Sequence, residues 1–494
     1  MWFNKERSKH KHFAIIDVVG ETTYDTLWSK AEQVAGVLCS RFPEPAARVG
    51  IYMHPSADFA AALLGIWQAG QIAVPLCMSH PAHELKYVLE DAGIDLIVSN
   101  RQTDLSLFGP MVAAVNWLLM EDEADGLTPV VAVNPSGPAL IIYTSGTTSR
   151  PKGAILTHSN LQAQITSLSE AWRWSEEDVI LNVLPLHHVH GLINILCCSL
   201  YNGACCVFHR RFDPVEVWNW FVTEQGGHVP TLFMAVPTIY AKLINAWEAA
   251  SPAVQTNWSN AASKLRLMVS GSAALPESVL YRWEEISSHR LLERYGMTEI
   301  GMALSNPLSG IRKPGFVGKP LPGVSVQLRN ENGVALAPDA EGELFVKGAT
   351  VFAGYWNKPE SSSLAFTEDG WFRTGDIAVI DAEGDYKILG RSSQDIIKSG
   401  GYKISALEIE TALLNHPLVA ECAVVGIADD EWGERVAAAV LMKNDSVTEE
   451  QLKEFLKKYL APYKIPTCWM FIAALPRNAM GKVVKPELKK LFQG

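Results

Sequence analysis

The sequence has no C-x-x-C spacing among its eight cysteines and no uninterrupted apolar run that makes a convincing membrane span. The pairs Cys197-Cys198 and Cys205-Cys206 lie in apolar segments, so the cysteines read as reduced core residues of a cytosol-like compartment, with metal binding the lesser alternative. The apolar stretches around 60–78 and 192–208 are broken by Gln71 and by Tyr201-Asn202-Gly203. Positive charge is scarce: a formal net charge of -11 argues against a general nucleic-acid binder, which needs basic surface to displace counterions. Internal repeats, low-complexity tracts and a long signal h-region are also missing. The basic opening from Met1 to His12 reads as a solvated terminus. These absences predict an intracellular soluble protein without integral membrane contact. A cytoplasmic location is favoured, a mitochondrial matrix location stays open for a processed form, and the oligomeric state is not legible.

What is present is a chain long enough for two to four structural units: 494 residues, 48% hydrophobic and 19% charged. Helix and strand signals alternate early. Residues 23–41 read as helix, 48–53 as strand, 57–68 as helix, 72–76 as strand, 81–92 as helix and 96–98 as strand, which predicts parallel sheets covered by helices. From about Gly315 short strands separated by turns predict a β-rich subdomain, and near Gly390-Arg391 the texture changes again. The expected organisation is an α/β N-terminal domain over 1–390, with a β-rich subdomain over about 315–390, and a small mobile α+β domain over 391–494.

Four strings carry chemistry. In the first, the apolar run 139–143 empties into Thr144-Ser145-Gly146-Thr147-Thr148-Ser149-Arg150-Pro151-Lys152-Gly153. Glycines let backbone N–H groups approach an anion, hydroxyls add donors on short stems, and Lys152 adds charge, which is phosphate-holding chemistry. It is not a Walker A loop, because Pro151 stands where Gly-Lys-Ser/Thr would be needed. The second string is Glu293-Arg294-Tyr295-Gly296-Met297-Thr298-Glu299, which offers an aromatic able to stack on a purine, a hydroxyl and a carboxylate in sequence. The third is Gly370-Trp371-Phe372-Arg373-Thr374-Gly375-Asp376 with Gly390-Arg391, and the fourth is Pro476-Arg477-Asn478-Ala479-Met480-Gly481-Lys482.

Together, and in this order, these strings resemble the motifs of the adenylate-forming superfamily of acyl-CoA synthetases, luciferases and peptide-synthetase adenylation domains. The resemblance covers nearly the whole chain. It implies that Thr144, Ser145, Gly146, Thr147, Thr148 and Lys152 hold ATP phosphates, with Ser272, Ala273, Tyr295, Gly296 and Met297 around the nucleotide. Tyr295 would face the adenine, Thr298 the α-phosphate and Glu299 a Mg²⁺ ion. Magnesium usually takes one or two protein carboxylates and completes its shell with phosphate and water, so one Glu suffices. Asp376 would hold the ribose and Arg391 would also contact the nucleotide. Lys482 inherits the role of catalytic lysine. A carboxylate attacking an α-phosphate brings two anions to about 4 Å, a repulsion of roughly 4 kcal/mol at intermediate dielectric, which an ammonium offsets. In such enzymes the small domain rotates to present the 395–405 segment for thioester formation. That implies coenzyme A as co-substrate, approached by Lys398, Gly400, Gly401 and Tyr402. Superfamily members usually carry Asp or Lys at the hinge just after the Gly-Arg, whereas Ser393 or Gln394 stands there, with Asp395 one place on.

The choice of acid rests on fewer residues. Leu184-Pro185-Leu186-His187-His188-Val189-His190-Gly191 matches the superfamily's gating histidine at His188, which joins the expected catalytic set, and puts His190 toward the acyl site together with Ser270 and Gly271. Arg294 occupies the position before Tyr-Gly-Met-Thr-Glu where a small residue is usual. A guanidinium there suits a second carboxylate gripped in bidentate fashion rather than a fatty tail. The alternative is that Arg294 pairs with Glu293 or a neighbouring acid and braces the loop. The combination looks most like that of malonyl-CoA synthetases, which implies malonate, ATP and coenzyme A as substrates. Methylmalonate or a monocarboxylate remains a competitor, as do a non-catalytic nucleotide-binding regulator and an adenylation domain loading a carrier protein in trans.

Overall fold

The computed structural model describes residues 13–106, 108, 115–121, 133–144, 150–209, 211–222, 228–392, 394–400, 402–429, 432–443, 447–477 and 483–493. Within them the chain builds two large mixed sheets, a smaller antiparallel sheet and a C-terminal sheet, with helices over both faces of the first two. The first large sheet contains the parallel strands Phe13–Asp17, Cys205–Phe208, Val179–Asn182, Leu232–Ala235, Leu267–Ser270 and Leu292–Met297, side by side in that order. The second contains the parallel strands Trp117–Leu119, Leu96–Ser99, Arg48–Ile51, Ile72–Pro75 and Pro138–Thr144. Strands Ile72–Pro75, Leu96–Ser99, Val179–Asn182 and Leu267–Ser270 are buried from end to end, as expected where helices cover the two faces.

The helix Ala57–Gln68 shows why the early alternation of patterns produces this architecture. Its sequence, ADFAAALLGIWQ, is apolar nearly all round, and it is buried from Phe59 through Trp67. Ser56 caps its N-terminus by accepting from Phe59 N, and Trp67 Nε1 donates to Ala139 O at 2.7 Å, joining the helix to the strand that leads into the first motif. The neighbouring helix runs over Tyr24–Arg41, capped by Thr23. Boundaries differ from the sequence reading by a residue or two where caps decide them. The helix His158–Ala171 starts where Thr157 and Asn160 form a reciprocal capping box.

From Val324 to Arg391 four antiparallel strands, Val324–Arg329, Glu341–Gly348, Phe372–Ile380 and Tyr386–Arg391, form the expected β-rich part. After it come the hairpin Ile396–Ser399 and Tyr402–Ser405, the helix Ala406–Leu414 and the long antiparallel pair Val419–Asp429 and Gly433–Met442, around a core that includes Ile397, Leu413, Val424, Val440 and Leu452. All eight cysteines are unpaired, five of them buried. Among the described residues no helix is long and apolar enough to cross a membrane.

Candidate active site

Parallel strands deliver their carboxyl ends to one edge of a sheet, where ligands of α/β folds collect. Three of the strings identified from sequence leave the first large sheet in this way. Val179–Asn182 leads into the histidine run, Leu267–Ser270 into Gly271 and Ser272, and Leu292–Met297 carries Arg294 and Tyr295. Register pairs Ser270 with Glu293, which sets Gly271 beside Arg294.

That juxtaposition depends on a missing side chain. An ideal Cβ on Gly271 would stand 2.6 Å from Arg294 Cζ and Nε, so the guanidinium lies directly over the glycine backbone. Arg294 is only 3% exposed, and burial pushes it down to about 9 from its usual range. Among the described residues its one hydrogen bond is from Nη2 to Ser272 Oγ at 3.3 Å, its Nε has no partner, and no carboxylate pairs with it. Ser272 holds a left-handed backbone with φ +69°, a conformation that costs a non-glycine residue and collects at functional sites. Its Oγ also lies 3.4 Å from His190 Nδ1. His190 is buried, and burial with the adjacent Arg294 charge keeps its imidazole neutral; its Nε2 and the Ser270 hydroxyl have no partners among the described residues.

Glu293 does not neutralise Arg294. Strand alternation turns the two side chains to opposite faces, and Glu293 accepts from Gly315 N at 3.1 Å, with burial raising its carboxyl to about 8. The bracing alternative considered from sequence is therefore not what the fold builds.

The strings that resemble nucleotide-holding motifs are brought together differently, with Asp376, Arg391, Glu299 and Lys152 each engaged. Strand register opposes Asp376 to Arg391, whose Nε is 3.0 Å from Asp376 Oδ1, and Tyr295 donates its hydroxyl to Asp376 Oδ2. Burial raises the Asp376 carboxyl against these two partners. Glu299 is 5% exposed and accepts from Tyr355 at 3.0 Å; burial raises its carboxyl as well. Lys152 Nζ sits 5.2 Å from the Tyr355 ring centroid and 3.3 Å from Ser361 Oγ. Tyr355 thus links the lysine of the first motif to the carboxylate of the second. Sequence reasoning missed it, because Gly354-Tyr355-Trp356 reads as an ordinary short strand. Thr144 and Lys152 form the innermost pair of the antiparallel strands Pro138–Thr144 and Lys152–Thr157, so the first motif connects these two strands. Ser145, Gly146, Thr147, Thr148, Gly401 and Lys482 lie outside the described residues.

Two more features around the histidines escaped the sequence reading. The segment His190–Cys197 is a π-helix, a form concentrated at functional sites, and the ring of His188 lies 4.2 Å from that of His187. Asn194 on that helix is 1% exposed, and neither atom of its amide has a partner among the described residues; it lines a small cavity with Gln164, Thr298, Gly301 and Thr350. In the C-terminal part, Lys398, Gly400 and Tyr402 all lie on or beside one hairpin, where Tyr402 is exposed and stacks on Tyr463 at 4.4 Å.

Comparison with known proteins matches two family models: AMP-binding enzyme over residues 3–356 and AMP-binding enzyme C-terminal domain over 408–482. The chain belongs to the AMP-binding enzyme family. Relatives in that family include a malonate–CoA ligase of Arabidopsis thaliana, 44% identical over 90% of this chain and 78% of its own length. The mitochondrial malonate–CoA ligase of Homo sapiens is 42% identical over 97% of this chain and 90% of its own length. Among solved structures, ATP-bound MatB from Rhodopseudomonas palustris superposes with a TM-score of 0.89 at 33% identity, covering 98% of this chain and 96% of that one. Nearly the whole of this AMP-binding enzyme thus shares the fold of MatB.

Proposed function

We propose that the chain is an AMP-forming malonate–CoA ligase. It would join malonate to ATP as malonyl-adenylate with release of pyrophosphate, then transfer the acyl group to coenzyme A. The observation that carries the choice of acid is Arg294: a buried guanidinium at the carboxyl edge of the sheet, without a carboxylate among the described residues, next to strings that resemble nucleotide-holding motifs. A dicarboxylic acid supplies the missing anion, and an acid with an alkyl end leaves the cation stranded. Stranding one member of a buried charge pair costs on the order of 3–5 kcal/mol, or about 10²–10³-fold or more in discrimination.

The remaining roles follow the resemblance. Asp376, held by Tyr295 and Arg391, would take the ribose hydroxyls, and Thr298 and Lys152 would meet the phosphates. Glu299 fits a single-carboxylate Mg²⁺ site: it is buried, its described side-chain partner is a neutral tyrosine, and the remaining ligands of such an ion would be phosphate and water. A bound Mg²⁺ would withdraw charge from the departing pyrophosphate. Lys482 would stand between the attacking carboxylate and the α-phosphate, and rotation of residues from about 391 onward would then bring Lys398, Gly400, Gly401 and Tyr402 to the thiol. A reducing, intracellular setting agrees with eight unpaired cysteines.

The test is pyrophosphate release across malonate, methylmalonate, butyrate and acetate, for the wild type and Arg294→Met. Malonate should exceed butyrate by about 10²–10³-fold in kcat/KM, and the variant should erase most of that margin. Equal rates with malonate and butyrate, or an unaltered preference in the variant, would overturn the choice of acid.

A further inference from the structure

The C-terminal part holds a second buried cation that none of the roles above uses. Lys485 opens the last helix, Lys485–Gln493, three residues after Lys482. Its Nζ lies 2.5 Å from Asp395 Oδ1 and 2.8 Å from Glu410 Oε1, with the three side chains 10%, 13% and 14% exposed. Burial works against the Lys485 charge, but Glu410 and Asp395 outweigh it and hold the ammonium above its usual range.

Each carboxylate is anchored in turn. Asp395 Oδ2 accepts from Arg391 N at 2.9 Å, and its backbone oxygen accepts from Ala406 N at 2.7 Å. Asp395 also packs against the turn itself, since a Cβ on Gly390 would stand 2.5 Å from the Asp395 Cβ. Glu410, on the helix Ala406–Leu414, accepts from Val424 N at 2.7 Å. A single ammonium therefore ties together the turn after Arg391, that helix, the strand Val419–Asp429 and the start of the last helix. On the other side of the turn, Arg391 grips Asp376. Just before Lys485 the chain is clamped twice more: Arg477 pairs with Val483 as an antiparallel bridge, and Val484 N donates to Pro476 O at 2.8 Å.

We propose that Lys485 is a positioning residue for the adenylation half-reaction. It fastens the stem of the segment that carries Lys482 to the turn about which the C-terminal part rotates. Movement at that turn is then transmitted to the stem without slack. The hairpin expected to serve the thiol, Ile396–Ser399 with Tyr402–Ser405, follows Asp395 directly but is held at its far end by a second pairing, Ser399 with Gly433 of the strand Gly433–Met442. The inference rests on the adenylating role assigned to Lys482 above.

The experiment separates the two half-reactions in the full-length protein. Adenylation is read as malonate-dependent ATP–pyrophosphate exchange, and transfer as thioester formation from synthetic malonyl-adenylate and coenzyme A. The variant Lys485→Met with Glu410→Gln removes one charge of each sign, so that no pair of carboxylates is left facing itself. Exchange should fall at least tenfold more than transfer, while Lys485→Arg, which keeps the cation, should hold exchange within about threefold of wild type. Should the double variant not fold, Lys485→Gln, which keeps donors toward both carboxylates, is read by the same criterion. A split below tenfold, equal loss in both reactions included, overturns the inference. A wild-type protein with no malonate-dependent exchange would instead sink the ligase reading.

Discussion

Two buried cations, one in the first large sheet and one in the C-terminal part, make a natural pair. Arg294 is 3% exposed and Lys485 8% exposed, yet burial drives the first toward neutrality while two carboxylates hold the second charged. The difference lies in who supplies the counter-charge. Asp395 and Glu410 do so for Lys485 from within the chain, whereas among the described residues the Arg294 guanidinium meets only the hydroxyl of Ser272. A protein retains an expensive uncompensated charge when a ligand is there to neutralise it, and it surrounds a structural charge with its own partners. The same contrast separates the proposed acyl side, where His190 Nε2, Ser270 Oγ and Arg294 Nε lack partners among the described residues, from the proposed nucleotide side, where Asp376, Arg391 and Glu299 are held.

The contrast is broken most directly by deleting each charge. Lys485→Met leaves two buried carboxylates facing each other and should cost about 3–5 kcal/mol of stability, read as a lower urea midpoint. Arg294→Met removes a charge that burial already disfavours and should leave the midpoint unchanged or raised in the absence of substrate. If both variants lose stability alike, the distinction between a structural and a waiting cation fails.

A smaller effect is expected from filling the space above Gly271. In Gly271→Ala the methyl group would collide with the guanidinium, so the malonate KM should rise by about tenfold, of order 1.4 kcal/mol, with the ATP KM little altered. A normal malonate KM in that variant would mean that the guanidinium does not need its place over the glycine.

Titration gives the gentlest probe. Burial pushes the folded Arg294 down to about 9, below the unfolded value, so the unfolded chain binds more protons between the two values. The burden of this cation on the free protein is thus full below pH 9 and is relieved as pH rises above it. Malonate capture has the opposite dependence: kcat/KM for malonate should decline as pH climbs through about 9, while that for butyrate does not follow it. For Lys485 the folded value is raised, so its stabilising contribution is present below the unfolded value and is lost only as pH passes through the higher folded one.

Much of the candidate site was legible as strings. The hydroxyl and glycine run before Lys152, the Tyr295–Glu299 run and the Asp376 and Arg391 positions each keep their chemistry within a few residues, and local pattern reading finds such groups. The separate faces of Glu293 and Arg294 could also have been read from strand alternation, and the bracing alternative dismissed on that ground. Tyr355 could not, because its importance is that it reaches Glu299, 56 positions away, and Lys152. Nor could Lys485, whose partners lie 75 and 90 positions earlier and whose own surroundings read as a basic tail.

By itself the sequence determined which chemical groups the protein owns, their order, and the alternation of helix and strand that delivers them to a sheet edge, because backbone periodicity and short motifs are local properties. Tertiary structure alone decided which charges are answered. Pairing is a matter of a few ångströms between residues brought together by folding, and the same buried cation is a brace or a binding group according to whether a carboxylate lies within that distance.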